Sequence, residues 1–207
     1  MSIQEVTSPI DLRDPHDAEQ WANEVNLKRP WRYEFFDYYA NLIKNLKLTT
    51  IQVLELGSGP GFLAKYLLEK CPNIQYSAVD FSQAMHVLSQ QRLTKNELAQ
   101  THYYLADFKT EDWSKDLASY DVVIIHQALH ELRHKAYATN FHCQVQKLLR
   151  ADATYLVCDH VFADYAMSNN ELFMSKQEHV HCLKAANFKD VDLVMEKQGL
   201  CLFEAKL

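Results

Sequence analysis

The most constraining feature of the sequence is the position of its glycines. The 207 residues include only 4 glycines, and three of them, Gly57, Gly59 and Gly61, fall in one short stretch. Glycine adopts backbone conformations with positive φ that other residues disfavour, and it lets a ligand approach the main chain closely. The stretch follows the apolar run 51–56. It therefore predicts a tight turn that joins a buried strand to a helix and leaves room for a ligand.

Short apolar runs alternate with amphipathic segments along the rest of the chain. The pattern predicts strands at 51–56, 76–80, 102–106, 121–125 and 154–158, and helices at 61–70, 83–93, 111–117, 134–149 and 179–186. Such β-α units in succession are typical of a parallel sheet with helices on both faces. Two last strands, 191–197 and 200–206, flank Gly199 at hairpin spacing. The expected fold is α/β: a doubly wound, mostly parallel, seven-stranded Rossmann-like sheet with a C-terminal antiparallel hairpin strand.

The first 48 residues carry a different pattern. Residues 1–15, with Pro9 and Pro15, have the composition of a loose lead-in. Residues 17–48 are predicted to be helical, because apolar side chains such as Phe35, Tyr39 and Ile43 recur at helical spacing. We therefore expect an N-terminal helical cap or lid over 1–48 and a ligand-binding α/β domain over 49–207.

Composition excludes several classes of protein. A formal net charge of −6 disfavours a surface that binds nucleic acid. The 5 cysteines are scattered and form no CxxC pair, which is typical of reduced residues in a cytoplasmic protein. No apolar run is long enough to span a membrane, and the first residues lack the apolar core of a signal peptide. We expect a cytoplasmic protein with a small-molecule substrate, and the oligomeric state stays open.

Three acidic residues lie where predicted strands end. Glu55 precedes the glycine turn, Asp80 ends the second strand, and Asp107 follows the third. A carboxylate beside a glycine turn, at the end of the second strand, can accept hydrogen bonds from ribose hydroxyls. The glycine spacing is G-x-G-x-G, however, and not the G-x-G-x-x-G of dinucleotide sites, so a nicotinamide dehydrogenase is disfavoured.

The segment ELGSGPGF, Asp80 within SAVDF and the triplet Ala106-Asp107-Phe108 resemble the class I S-adenosylmethionine-dependent methyltransferases of small-molecule type. The resemblance covers about residues 50–207. It implies S-adenosylmethionine as cofactor, S-adenosylhomocysteine as product, and methyl transfer to a small acceptor by in-line displacement at the sulfonium methyl. The cofactor-binding residues implied are Glu55, Leu56, Gly57, Ser58, Gly59, Asp80, Phe81, Met85, Asp107, Phe108 and His126, and Arg32 of the helical cap is a further candidate outside the resemblance.

Within that set, the resemblance assigns parts of the cofactor to particular side chains. Glu55 would meet the amino group of the methionine moiety. Independently of the resemblance, the positive charge of Arg32 could neutralise the carboxylate of that moiety. Asp80 would bind the ribose hydroxyls, and His126 would face the methionine moiety or the methyl group. The adenine would lie among Phe81, Met85, Phe108 and Asp107, with Asp107 accepting from its N6 amino group.

Polar residues also follow the fourth and fifth predicted strands. An acceptor hydroxyl, amine or thiol can require removal of its proton, and a histidine with a pKa near neutrality is suited to that task. The candidate catalytic residues are His126, His130, Glu131, Asp159 and His160.

Two alternatives stay open. Residues 130–134 read HELRH, a literal HExxH; on a helix, His130 and His134 would share a face and could hold zinc, with Glu131 as general base. No third ligand follows at short spacing, so we assign no metal, and a zinc hydrolase is the alternative enzyme. A protein that binds S-adenosylmethionine without catalysis is the other alternative. Within the methyltransferase interpretation, a protein acceptor is a further possibility.

Overall fold

The computed structural model describes residues 3–207, which divide into two units. The N-terminal unit comprises residues 9–107, and the C-terminal unit comprises 3–8 together with 108–207.

The N-terminal unit contains five helices and three strands. Its elements are α1 (Pro15–Lys28), α2 (Arg32–Asn45), β1 (Ile51–Leu56), α3 (Phe62–Lys70), β2 (Ile74–Asp80), α4 (Gln83–Arg92), α5 (Lys95–Ala99) and β3 (Thr101–Leu105). β1 is parallel to β2, and β2 is parallel to β3. The helix predicted over 83–93 is α4, and the Ser82 hydroxyl caps it by accepting a hydrogen bond from the Met85 N–H at 3.1 Å.

The C-terminal unit contains four strands and two α-helices. Its elements are β4 (Tyr120–His126), α6 (Ala138–Gln146), β5 (Leu149–His160), α7 (Lys176–Ala185), β6 (Asp190–Lys197) and β7 (Leu200–Lys206), with short 3-10 helices at Leu129–Leu132 and Lys135–Tyr137. β4 is parallel to β5, whereas β7 is antiparallel to both β5 and β6. Ser175 and Glu178 form a capping box, which starts α7. No helix within residues 3–207 combines the length and the apolar character that crossing a bilayer demands.

The seven strands follow the order β3-β2-β1-β4-β5-β7-β6. The C-terminal hairpin places β7 next to β5 and leaves β6 at the edge. The sequence-based prediction of a mostly parallel, seven-stranded, Rossmann-like sheet with an antiparallel C-terminal hairpin is therefore confirmed.

Two predicted helices are wrong in extent or type. Residues 111–117 form turns, since so short a segment gains too little from its own hydrogen bonds to persist as a helix. The helix predicted over 134–149 is α6, which starts at Ala138. His134 is extended, and its ring Nδ1 accepts a hydrogen bond from the Ala136 N–H at 3.1 Å, which caps the short 3-10 turn ahead of α6.

The prediction of a loose lead-in is also wrong for the described residues before α1. In the C-terminal unit, the Arg133 guanidinium donates hydrogen bonds to the carbonyls of Val6 and Thr7 at 2.8 and 2.9 Å. Glu5 forms an ion pair with Lys109 at 2.9 Å. Backbone carbonyls carry no side-chain signature, so sequence patterns do not reveal such contacts.

Burial shifts the pKa of three buried histidines. Burial lowers the pKa of His86 and of His179 to about 4, and it lowers the pKa of His142 to about 3. All three are therefore neutral in the folded protein at neutral pH. In the unfolded chain, each takes up a proton below its ordinary pKa near 6.5.

We expect replacement of His179 by phenylalanine to weaken the loss of stability on acidification. The folded pKa lies below the unfolded value, so the stability contributed by the neutral ring is present above pH 6.5 and is lost as the pH falls towards 4. Near pH 5, a pKa lowered from 6.5 to about 4 reduces the free energy of unfolding by about 2 kcal/mol. Urea unfolding at neutral and mildly acid pH measures the difference between wild type and H179F.

Glu55 makes an opposing contribution to the pH dependence of stability, but it is present in both wild type and H179F. The difference between these two proteins therefore does not contain it. Burial raises the pKa of that carboxyl to about 8, so its stabilising share is lost as the pH rises from 4.5 towards 8 in both chains. Replacing the exposed His102 by glutamine is the matched control for loss of a histidine outside the core. If the stability of H179F fell as steeply with acidification as that of wild type, the lowered pKa of His179 would be contradicted.

Candidate functional site

The glycine turn connects β1 to α3 at the carboxyl end of β1. Gly57, Gly59 and Gly61 have φ values of 70°, 54° and 79°, all in the left-handed region that favours glycine. The N–H groups of Gly57 and Ser58 both donate to the Val79 carbonyl, at 2.8 and 2.9 Å. The turn is thus held against the end of β2 by its own backbone.

Gly59 and Gly61 are required for different reasons. A Cβ on Gly61 would lie 2.3 Å from Ser89 Oγ and 2.9 Å from Ser89 Cα, so glycine here permits the close approach of α3 and α4. A Cβ on Gly59 would meet no atom within 4 Å, so the space in front of this residue is open. Ser58 Oγ is buried and has no hydrogen-bond partner among residues 3–207. The turn therefore combines open space with an unsatisfied hydroxyl, which suits a polar ligand.

Asp80 lies beside the turn at the last position of β2. Its Oδ2 accepts a hydrogen bond from the Gly59 N–H at 2.7 Å, and its Oδ1 accepts one from the Ser82 N–H at 2.9 Å. Each carboxylate oxygen offers more than one acceptor position. The buried carboxylate therefore keeps the capacity to accept hydrogen bonds from the hydroxyls of a ligand.

Glu55 and Arg32 are two further buried polar groups of the N-terminal unit. Glu55 accepts a hydrogen bond from the Tyr76 hydroxyl at 2.6 Å. Burial raises the pKa of Glu55 to about 8, although Tyr76 and the Arg32 charge act in the opposite direction. Arg32 starts α2, donates to Asn26 Oδ1 at 3.3 Å and lies 5.4 Å from the Phe36 ring centroid. A carboxyl and a guanidinium in one region suit a ligand that carries the amino and carboxylate groups of an amino acid.

The residues predicted to surround adenine have partners in this structure. Arg13 Nη2 donates to Asp107 Oδ2 at 2.9 Å, and the Arg13 guanidinium lies 4.5 Å from the centroid of the Phe81 ring. Met85 is buried within α4. Sequence reasoning missed Arg13, because a single arginine in a segment without periodicity carries no signal.

Phe108 belongs to the C-terminal unit and lies in an aromatic cluster. Its ring centroid is 5.2 Å from that of Trp113 and 5.1 Å from that of Phe141. The predicted role of Phe108 beside adenine stays a prediction.

Three of the predicted catalytic residues come together in the C-terminal unit, after β4 and at the end of β5. His130 Nδ1 lies 2.7 Å from Asp159 Oδ1, and the His130 N–H donates to Asp159 Oδ2 at 2.8 Å. The His160 N–H also donates to Asp159 Oδ1 at 2.8 Å. A carboxylate only accepts, so Nδ1 of His130 carries the proton and Nε2 is the basic nitrogen of the neutral ring. Asp159 is fully enclosed, whereas the His130 side chain is 18% exposed.

The charges around this pair set their protonation. Burial alone would lower the pKa of His130, but Asp159 and Glu131 outweigh it and raise the pKa above its ordinary value. The His130 imidazole in turn holds the pKa of Asp159 below its usual range despite burial. A partly exposed histidine oriented by a buried carboxylate is the arrangement of a general base.

Glu131, His126 and Gln127 lie in the same unit. Glu131 Oε1 is 3.5 Å from His130 Nε2, and His126 is buried at the last position of β4. Gln127, which sequence reasoning missed, has a φ of 57°, and its Nε2 lies 3.0 Å from His160 Nε2. A left-handed conformation at a residue other than glycine reflects its surroundings and leaves no mark in the sequence.

The helical premise of the zinc-hydrolase alternative is wrong. The 3-10 helix ends at Leu132, Arg133 has a φ of 63°, and His134 is extended, so His130 and His134 do not share a helix face. His130 Nδ1 is engaged by Asp159. Within the described part of the chain, residues 3–207, no three His, Cys, Asp or Glu side chains are grouped so that they could hold a metal ion.

Comparisons with known proteins bear on this arrangement. A family model described as a methyltransferase domain matches residues 53–152. A malonyl-[acyl-carrier protein] O-methyltransferase of Bacillus cytotoxicus is 31% identical over 104 residues, which cover 43% of this chain and 34% of that protein.

Solved structures share the fold. An O-methyltransferase family protein from Burkholderia thailandensis has a TM-score of 0.72 at 12% identity, over 93% of this chain and 60% of that chain. Human N-acetylserotonin methyltransferase in complex with S-adenosylmethionine has a TM-score of 0.66 at 14% identity, over 94% and 57%. The chain thus spans about a third of the curated relative and less than two thirds of these structures. Together, the comparisons bear out the resemblance to the class I S-adenosylmethionine-dependent methyltransferases: residues 53–152 match a methyltransferase domain, and the solved structures share the fold.

We expect alanine at Gly61 and at Gly59 to separate folding from ligand binding. A left-handed alanine costs about 1–2 kcal/mol at either position. At Gly61, the overlap with Ser89 adds about 1–3 kcal/mol of overpacking, so urea unfolding shows the larger loss for G61A.

At Gly59 the added methyl enters the open space in front of the turn, so G59A folds but binds S-adenosylhomocysteine at least about tenfold more weakly by calorimetry. Equal binding by G59A and wild type would show that no ligand approaches the turn.

Proposed function

We propose that this chain, which carries a class I S-adenosylmethionine-dependent methyltransferase domain, transfers the methyl group of S-adenosylmethionine to a small organic acceptor. The observation that carries the proposal is the glycine turn bonded to Asp80 through the Gly59 N–H, with the unsatisfied hydroxyl of Ser58 beside open space. The family match over residues 53–152 supports the same conclusion.

The N-terminal unit supplies the cofactor-binding residues in this proposal. When bound, S-adenosylmethionine supplies a methyl group that its sulfonium charge has already activated. Asp80 accepts from the ribose hydroxyls, while Glu55 and Arg32 hold the amino and carboxylate groups of the methionine moiety. The backbone of Leu56 to Gly59 lies against the ligand. Arg32 belongs to α2, which agrees with a cap over residues 1–48 and a methyltransferase domain over 49–207.

The C-terminal unit supplies the acceptor's base. We assign to His130 Nε2 the removal of a proton from the acceptor, such as a hydroxyl. The acceptor atom would bond to the methyl carbon while the bond from that carbon to sulfur breaks, which would leave S-adenosylhomocysteine. Asp159 accepts the Nδ1 hydrogen bond, keeps the ring oriented and stabilises the imidazolium that results. Glu131, His160 and His126 contact the acceptor or the reacting methyl group in this proposal.

We also propose a cytoplasmic location and a small-molecule acceptor. All 5 cysteines are free thiols, which agrees with a reducing, cytoplasmic compartment. The net charge of −6 favours a small-molecule acceptor over nucleic acid.

The D80N variant tests the cofactor site. The amide keeps the size of Asp80 but loses the charge and one acceptor oxygen, so we expect S-adenosylhomocysteine to bind about 10- to 100-fold more weakly. Isothermal calorimetry of wild type and D80N measures the change, and D192N, at an exposed position of β6, is the control with unchanged affinity. Absence of binding to the wild-type chain would refute the proposed function.

The H130Q variant tests the base. We expect S-adenosylhomocysteine formation with a panel of phenols and hydroxy acids to fall about 100-fold, while binding of the product stays unchanged. Wild-type binding without turnover on any acceptor would instead favour a non-catalytic S-adenosylmethionine-binding protein.

The D159N variant tests how the base is tuned. Removing the carboxylate charge lowers the pKa of His130, so the neutral, basic ring persists to lower pH than in the wild type. NMR titration of the His130 ring protons, assigned with H130Q, measures the shift, and D192N is again the control. A His130 pKa that does not fall in D159N would contradict the pairing.

A further inference from the structure

A short segment ahead of α1 lies on the side chains that we assign to adenine. Arg13 Nη2 donates to Asp107 Oδ2 at 2.9 Å, and its guanidinium lies 4.5 Å from the Phe81 ring centroid. The hydroxyl of Ser82, the residue after Phe81, donates to the carbonyl of Leu12. All of these residues belong to the N-terminal unit. We call residues 11–14 the Arg13 latch.

The latch has an ordered backbone of its own. The Asp11 carboxylate accepts from the Arg13 N–H at 3.0 Å, and the Asp11 N–H donates to Asp17 Oδ2 at 3.1 Å. Asp14 caps α1 by accepting from the N–H groups of His16 and Asp17 at 2.9 and 3.1 Å. The start of α1 therefore determines where the backbone of Arg13 lies.

The contacts of Arg13 are those that a bound adenine requires. A guanidinium over an aromatic ring takes up one face of that ring, and its N–H occupies an oxygen of the carboxylate. An adenine ring stacked on the Phe81 face that the guanidinium covers, with its N6 amino group donating to Asp107, would overlap Arg13. Arg13 and adenine therefore compete for the face of Phe81, and they share the Asp107 carboxylate.

We propose that the Arg13 latch gates the adenine pocket: it is closed in the free protein and must open before the cofactor binds. The inference rests on the proposed function, because it takes Phe81 and Asp107 as adenine partners. The side chains of Arg13 and Asp107 are 58% and 28% exposed, and an ion pair so accessible to water is weak. The latch is thus a reversible gate that lowers the apparent affinity by the fraction of closed molecules.

The R13A variant tests the gate. We expect R13A to bind S-adenosylhomocysteine about three- to tenfold more tightly than wild type by calorimetry, because the closed form is no longer stabilised. Raising the ionic strength screens the Arg13–Asp107 pair, so it tightens binding to wild type more than to R13A. The control is K28A, which removes the exposed Lys28–Glu24 pair of α1 and leaves the affinity unchanged.

A second ligand separates the gate from a general effect on the site. S-ribosylhomocysteine has the ribose and homocysteine parts but no adenine, so R13A and wild type bind it equally. Equal or weaker binding of S-adenosylhomocysteine by R13A, with wild type binding normally, would overturn the gate and leave the proposed function standing. A wild-type chain that binds neither ligand would instead refute the proposed function.

Discussion

The hydrogen bond from the Gly59 N–H to the Asp80 carboxylate is the contact on which the organisation of the N-terminal unit depends. It forms because the glycine turn has positive φ at three positions, which brings the backbone across the end of β2. The same turn ends at Gly61, where the missing Cβ lets α3 approach Ser89 of α4. One backbone constraint therefore both packs two helices and presents a carboxylate beside open space.

Two buried carboxyls in this fold have pKa shifts of opposite sign, and the reason is their partners. Glu55 receives a hydrogen bond from the neutral Tyr76 hydroxyl, so burial dominates and raises its pKa to about 8. Asp159 is equally enclosed, but the ring of His130 and two backbone N–H groups stabilise its charge, so its pKa is lowered. The first carboxyl is suited to ligand binding with a proton retained near neutrality. Asp159 is suited to orienting the His130 ring so that Nε2 is its basic nitrogen.

Much of the fold could be predicted, because the relevant signals are local. β1 has the predicted limits, Ser82 and Ser175 cap the helices that follow them, and Gly199 separates the two C-terminal strands. The predicted start of the helix over 134–149 was wrong, because a side-chain hydrogen bond of His134 replaces the helical hydrogen bonds expected there. His134 uses its ring to cap a 3-10 turn, and the apparent zinc motif therefore breaks after Leu132.

By itself, the sequence determined the glycine turn, the acidic residues at strand ends and the polar residues after β4 and β5, because backbone preference and hydrophobic period are properties of short stretches. Only the tertiary structure decided which side chains pair. Asp159 meets His130 from a separate strand, and Arg13 meets Asp107 although 94 positions separate them in the chain. Such pairs depend on how distant segments pack, and no local pattern encodes the distance between their side chains.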